Sequence, residues 1–465
     1  MSQTSTAPTT KAASPLGVRN FRLLWIGESV SLLGDQFTLI AYPWLVLQLT
    51  GDALILGTVM ALMGIPRALF MLIGGALVDR FSPRTIMLVT NAARLVLVGV
   101  LAALTLSDAI QLWMLYGFAL LFGLADAFYF PGQSSIVPQI LDKDQLQSGN
   151  TIVQGTAQLS LFLGPVLAGG LIALVGGTAS ASADALPSMI GIGVAFGIDA
   201  LSFLASVGAL WLMRPRRAVE LDADQRSVIQ SIAAGMRYLW QNEALRFILI
   251  LIVASNFFIM GPMMIGIPVL AKTTLAEGAA AYGIVMSAFG GGALVGIILS
   301  GVLPRLKPAR MGTILLTIQA LMGVALALLP LSTATAYAAV MALLMGAVNG
   351  YVNISFFTWL QKRVPEHLMG RVMSVIMFAS VGLTPVSTAL AGVLIDWNLT
   401  AVFIGGGILM ALVTLLSLTS RAVRDMGMQV TGEFHAVSVG DAVRATSELP
   451  NLRTATGEIP IIGGD

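Results

Sequence analysis

Runs of about twenty apolar residues, separated by short polar gaps, recur along most of this chain. Hydrocarbon offers no water to satisfy a backbone N–H or C=O, so a crossing helix needs roughly 20 apolar residues with all its bonds made internally. The pattern predicts twelve such helices. Six fall in a first group: Phe21 to Leu49, Leu54 to Val78, Thr85 to Leu106, Leu112 to Ser135, Thr151 to Val175 and Ile190 to Met213. Six follow a polar stretch: Leu245 to Leu270, Tyr282 to Val302, Met311 to Pro330, Ala336 to Trp359, Val372 to Ile395 and Thr400 to Leu418. The breaks at Thr50-Gly51-Asp52 and Trp397-Asn398 divide what would otherwise read as overlong helices.

Composition agrees with an all-α integral membrane protein. Hydrophobic residues are 57% of the 465 and charged residues 10%, against about 25% charged in a soluble domain. Of the 25 Lys and Arg, 22 fall in the gaps or at the span ends on one side, Arg67 and Arg94 lie deeper inside spans, and only Lys272 falls on the other side. The positive-inside rule then places both termini in the cytoplasm. A net charge of +2 comes from those inner loops, and no basic domain exists to hold nucleic acid. There is no cysteine, which excludes disulfides and thiol catalysis. The first 20 residues are polar and lack the apolar core of a cleavable signal, so the first span is expected to act as its own uncleaved signal.

Internal repetition divides the chain. Gly123-Leu-Ala-Asp126 parallels Gly346-Ala-Val-Asn349, and Ala168-Gly-Gly-Leu-Ile172 parallels Ala391-Gly-Val-Leu-Ile395, both at an offset of 223 residues. Gly75 to Arg84 matches Gly301 to Arg310 more loosely. The expected organisation is a cytoplasmic arm (1–20), a six-helix bundle (21–213), and a linker containing an amphipathic helix (214–244). A second six-helix bundle (245–420) and a disordered cytoplasmic tail (421–465) complete it.

The segment Gly75-Ala-Leu-Val-Asp79-Arg80-Phe-Ser-Pro-Arg84 resembles the loop motif of the major facilitator superfamily. That superfamily is itself a standard case of parallel six-helix repeats, so its agreement with the internal repeat is not independent support. Ser31-Leu-Leu-Gly34-Asp35, Trp44, Pro66, Arg94, Pro131, Val137-Pro138, Asn150, Gly164-Pro165 and Val364-Pro-Glu366 with Gly370-Arg371-Val372 are similar to its bacterial branch of macrolide-efflux and enterobactin-export proteins. The resemblance covers about Asn20 to Leu418. It implies the major facilitator fold, two pseudo-symmetric bundles of six helices. It also implies a gate in which Asp79 approaches the start of span eleven near Gly370-Arg371, with Arg80 and Arg84 in the same network. The alternative for these residues is simple anchoring at the lipid headgroups. The second basic position of the family loop is weakened here by Ser82-Pro83. In span five, Gly164, Pro165 and Gly169 depart from the exporter spacing, and Gly290 to Gly292 with Gly296 on span eight are expected to face them across a moving interface. Ordinary close packing is the other reading.

Ionisable groups inside spans are costly and normally face a cavity or each other. Glu28, Asp35, Arg67, Arg94, Asp126 and Asp199 all lie in the first half, whereas the second half offers Asn256, Gln319, Asn349 and Asn353. Glu28 and Asp35 are two helical turns apart on one face. Arg94 and Asp126 sit at equal depth, roughly 13–14 Å from the inner ends of their helices, so a buried ion pair fits, as would two separately solvated groups. A carboxylate in a partly dry site can exchange a proton near neutral pH. Asp35 and then Glu28 are the candidate proton or cation sites, with Asp126, Arg94 and Arg67 as partners; pairing of Asp35 with Arg67 is the structural alternative. Asp199 reads as structural. Phe37, Tyr42, Phe128, Asn256, Phe257, Asn349, Asn353 and Phe357 are candidate cavity residues for a large amphipathic ligand, although core packing suits any single aromatic equally.

The function expected is proton-coupled efflux of drug-like or siderophore-like molecules by a monomer in a bacterial inner membrane. Import or exchange of a metabolite or lipid is the alternative. No nucleophile–base pair, metal-ligand cluster or phosphate-cradling loop is present, so no enzyme, cofactor or metal is expected.

Overall fold

Helix ends form where the polar breaks fall. In the computed structural model, which describes residues 14–142, 144–176, 189–214, 236–303, 308–420 and 424, α1 (Arg19–Thr50) stops at Gly51. That residue adopts φ 69° and closes its N–H on the Leu47 carbonyl at 2.8 Å. Asp52 then caps α2 (Ala53–Arg80), its carboxylate accepting from the Leu54 and Ile55 N–H groups at 2.7 and 3.1 Å. Ser82 and Pro83 start α3 (Pro83–Leu106) in the same way, with the Thr85 N–H donating to the Ser82 hydroxyl at 3.2 Å. α4 (Leu112–Ile140), α5 (Leu146–Val175) and α6 (Ile190–Leu212) complete the first half.

Span seven is α7 (Glu243–Gly261), a π-turn at Pro262–Gly266, and α8 (Ile267–Thr273). α9 (Ala279–Val302), α10 (Pro308–Leu328) and α11 (Thr335–Arg363) are spans eight to ten. α12 (Glu366–Gly382) and the first part of α13 (Thr384–Ser417) form span eleven. At Asn398 the backbone turns extended (φ −161°, ψ 103°), and its carboxamide oxygen accepts from the Ala401 N–H at 2.9 Å to restart the helix as span twelve. Among the described residues, eleven helical stretches are long and apolar enough to cross a membrane, and the last of them, Arg371–Ser417, is long enough for spans eleven and twelve together.

The repeat seen in the sequence is a packing repeat. A β-carbon at Gly123 on span four would overlap the Met63 carbonyl of span two, and one at Gly346 on span ten would overlap the Phe289 carbonyl of span eight. Gly169 on span five meets Ala279 and Gly283 of span eight; its counterpart Gly392 on span eleven meets Ala53 and Gly57 of span two. The two bundles are therefore related by a pseudo-two-fold, and they touch along two equivalent seams, five with eight and eleven with two. Each bundle is also closed at the face bearing the start of α1 and the end of α13, the terminal face. Asn20 exchanges hydrogen bonds with the Arg214 backbone at 3.0 and 3.2 Å, and the Ser420 hydroxyl donates to Glu243 at 3.1 Å.

Three apolar cores show how the halves meet. One is shared and lies toward the far face, joining Ile40, Leu45, Leu47 and Leu56 to Ile265, Leu270, Tyr282, Val285 and Phe403. Toward the terminal face there are two, each private to one bundle: Phe21, Leu24, Met87, Ile136, Ile140 and Leu210 in the first, and Leu245, Ile248, Leu316, Trp359, Leu360 and Val372 in the second. The bundles are thus zipped at the far face and separate at the terminal face.

The seam corrects part of the expected interface. Gly292 and Gly296 do not face span five; β-carbons there would overlap the Leu343 and Ala347 carbonyls of span ten. Helical periodicity explains this, since Gly283 and Gly290, two turns apart, occupy the other face and approach Pro165 and Leu161. Gly164 faces neither: it accommodates Gln36 of α1. The Val166 N–H, one residue past Pro165, crosses the seam to the Ser287 hydroxyl at 2.8 Å. Of the expected linker (214–244), residues 215–235 lie outside the described residues, as do 421–423 and 425–465 of the tail.

Gly283→Val would wedge the five–eight seam against backbone. It is expected to cost about 1–3 kcal/mol of stability, read as a lower melting temperature in detergent. Gly208→Val, where nothing lies within 4 Å, serves as the neutral comparison.

Candidate functional site

A guanidinium with 5% of its residue surface exposed sits at the centre of the first bundle. Arg94 of α3 donates to the Asp126 carboxylate of α4, and Arg67 of α2 approaches the other oxygen of the same carboxylate at 3.8 Å. The Arg94 guanidinium lies over the Tyr129 ring, 4.2 Å from its centroid. The Tyr129 hydroxyl in turn donates to Glu28 of α1, and the Gln133 amide donates to the same carboxylate oxygen at 2.9 Å. Glu28 is buried at 4% exposure, with its second oxygen unpartnered among the described residues. Three helices are therefore tied through one unbroken polar chain, Asp126–Arg94–Tyr129–Glu28. Local sequence makes it possible, since Asp126, Tyr129 and Gln133 recur at helical spacing on one face of α4.

Asp35 sits differently. It is half-buried, lies within electrostatic range of Asp199, Arg94, Asp126 and Glu28, and accepts no hydrogen bond among the described residues. The alternative pairing of Asp35 with Arg67 is not formed, because Arg67 turns to Asp126. Asp199 of α6 is fully engaged: Thr38 donates to one oxygen, and Ser202 donates to the other at 3.1 Å. Gly34 permits this close crossing of α1 and α6, since a β-carbon there would overlap Ser202 and Asp199. Neither Glu28 nor Asp35 is turned to the lipid-facing surface.

The second bundle holds a cavity of about 340 Å³. Asn256, Asn349, Asn353 and Phe357 line it, as do Ser255, Met260, Phe289, Gln319, Met322, Phe356 and Ser380; none of its lining residues is charged. Its amides are partly pre-ordered. Gln319 donates to Ser255 at 3.3 Å, and Asn353 donates to the Asn349 side chain at 3.3 Å. Such a wall can donate to and accept from a neutral polar ligand while aromatic and thioether groups cover its apolar part.

Four expected cavity residues do not line this space. Phe37 and Tyr42 are packed in the shared far-face core at 7% and 1% exposure, Tyr42 donating to the Leu115 carbonyl at 2.6 Å. The far-face half of α1 is buried all round, so an aromatic there is core whichever way it points. Phe128 is half-buried on α4 and is not among the lining residues. Phe257, about 100° further round α7 than Asn256, lines a second, apolar cavity of about 330 Å³ with Phe258, Leu390, Trp397 and Leu409.

Of the expected gate, the side chains of Gly75, Asp79 and Arg80 and that of Gly370 lie outside the described residues. Among the described residues Arg84 stays within its own half: its guanidinium donates to the Leu210 and Trp211 carbonyls at 2.7 and 2.9 Å, capping the end of α6. Arg371 is half-buried. Residues that the sequence did not single out include Tyr129, Gln133 and Thr38, the hydrogen-bond donors to the acids, and Ser287 and Gly283 on the seam. A polar residue one or two turns from a buried acid was the available signal for the first two.

The family profile described as Major Facilitator Superfamily matches residues 24–386. The multidrug efflux pump Tap of Mycolicibacterium fortuitum is 26% identical over 411 residues, covering 85% of this chain and 94% of that protein. The macrolide efflux protein A of Streptococcus pyogenes is 24% identical over 358 residues, covering 76% and 84%. Among solved structures, a bacterial homologue of the iron transporter ferroportin superposes with a TM-score of 0.64 at 16% identity, covering 86% of this chain and 99% of that one. The nucleoside transporter NupG gives 0.62 at 12% identity, covering 86% and 100%. At such identities the two structures establish the fold.

Removing the carboxylate from the centre of the network would leave Arg94 buried without its counter-ion. Asp126→Asn is expected to destabilise the protein by about 3–5 kcal/mol, and Arg94→Gln in the same chain should return part of that loss. Thermal melting of the two single variants and the double variant in detergent checks both expectations.

Proposed function

This chain belongs to the Major Facilitator Superfamily, and from that membership we propose that it exports amphipathic, drug-like small molecules in exchange for protons, by alternating access. Its matched relatives are transporters and not enzymes, and those bearing efflux names span most of its length. The observation that carries the proposal is the division of chemistry between the bundles. Every described intramembrane acid lies in the first, and a neutral, amide-walled cavity fills the second.

The membrane is a bacterial inner membrane and the terminal face is cytoplasmic, because nearly all Lys and Arg of the sequence fall on that side. With the halves zipped at the far face, the observed conformation is then the one open to the cytoplasm. A ligand enters between the private cores and lays its apolar body on Phe289, Phe356 and Phe357. Its polar groups meet Asn256, Gln319, Asn349 and Asn353. Asp35, the acid without a hydrogen-bond donor, is the group that takes up and gives up the proton. Glu28, held by Tyr129 and Gln133, is linked to it through Arg94. A proton moving inward through 100 mV releases about 2.3 kcal/mol, enough to bias substrate concentration by tens of fold. The protein acts as a monomer, each bundle supplying what the other lacks.

Asp35→Asn is expected to abolish transport driven by an imposed pH gradient in proteoliposomes while leaving the melting temperature near that of the parent. Gradient-driven flux at the parent rate in this variant would reject the assignment. A drug-susceptibility panel in an efflux-deficient host supplies the substrate for that assay. Asn256→Ala and Asn349→Ala should then raise KM for it severalfold with little change in the gradient dependence.

A further inference from the structure

Lys272 is the one basic residue that the charge pattern leaves on the far face, where a cation does nothing for topology. Its stem runs along the end of α8, half-buried, and its ammonium reaches across to the other bundle, donating to the Leu47 carbonyl at the end of α1. No carboxylate pairs with it among the described residues. The charge is instead met by the C-terminal end of α1, where the helix macrodipole is negative and unsatisfied carbonyls point outward. Leu47 already accepts from the Gly51 N–H at 2.8 Å, so its second lone pair is the one given to Lys272.

We propose that Lys272 is a far-face lock between the bundles, a cation-to-helix-end contact that holds the cytoplasm-open state and must break for the far face to open. Its neighbours support this placement. A β-carbon built on Gly278 would lie 3.6 Å from the Trp44 ring, and the Tyr282 hydroxyl lies 3.4 Å from the Leu39 carbonyl, so the C-half segment from α8 into α9 follows the end of α1. The contact is also cheap to break. When the bundles part, Leu47 keeps its Gly51 bond and the ammonium regains water, so neither group is left buried and unpaired. An ion pair with a carboxylate would hold more tightly and release more slowly. The lock is independent of which ligand or ion is carried, and rests only on the far face opening at all.

The natural chain has no cysteine, so single cysteines report on an otherwise unaltered protein. Ala41 lies fully buried in the shared far-face core, and Ala127 lies fully buried in α4 within the first bundle. Purified full-length Ala41→Cys in detergent is treated with a water-soluble maleimide, in the parent background and with Lys272→Met or Lys272→Arg; Ala127→Cys is the comparison. Slow labelling at position 41 is expected in the parent, about tenfold faster labelling with Lys272→Met, return toward the parent rate with Lys272→Arg, and no change at position 127. Equal rates at position 41 in all three backgrounds overturn the lock but leave alternating access standing. Faster labelling at both positions with Lys272→Met also overturns it, by showing a general loosening. A complete absence of labelling at position 41 overturns far-face opening itself, and the lock with it.

Discussion

Burying a guanidinium in the first bundle is the constraint that most of this structure answers to. A charge in hydrocarbon costs several kcal/mol unless it is paired and its remaining donors are used. Arg94 meets that demand with Asp126 on α4, the Tyr129 ring beneath it, and the electrostatic company of Glu28 and Asp35 on α1. Helices α1, α3 and α4 are therefore fixed relative to one another by electrostatics as well as by packing. Any change in the charge of one acid is felt by all. In the proposed exchange, that connectedness would let a single proton alter the whole bundle, where an isolated buried acid would alter only its surroundings.

The pseudo-two-fold makes the contrast between bundles sharper. Asp126 on span four and Asn349 on span ten are the same position in the repeat, three residues after equivalent glycines that seat each helix on its neighbour. One copy carries charge and joins the ionic network; the other carries a neutral amide and lines the cavity. The frame has been kept twice while its central chemistry has diverged, which is how one fold holds a site for charge and a site for an uncharged surface.

Much of this was legible in the sequence, and the limits have physical causes. The helix ends were readable because Gly51, Asp52 and Asn398 each make the turn or cap that their side chains favour. The depth match of Arg94 and Asp126 was readable because rise per residue is constant. Facing was not. Gly292 and Gly296 lie on the wrong side of α9 for the seam, and Tyr42 and Phe37 point into core, because apolar residues surround these helices and leave no polar stripe to mark their orientation. The role of Arg84 was not legible for a different reason: a loop arginine serves a helix end, as it does at Leu210 and Trp211, as readily as a partner across a gap, and nothing in its neighbours says which.

The breaks in the second bundle have a mechanical meaning. Span seven is interrupted by the π-turn at Pro262–Gly266 and span eleven between Gly382 and Thr384, whereas α1 and α5, their counterparts in the first bundle, run without a break from end to end. Both interrupted helices also border the amide-walled cavity. The compliance of the molecule is therefore concentrated around its binding volume, and its stiffness around its charges. On the transport proposed here, the unbroken ionic half would set the timing of the cycle, and the interrupted half would let that cycle close on guests of unequal size.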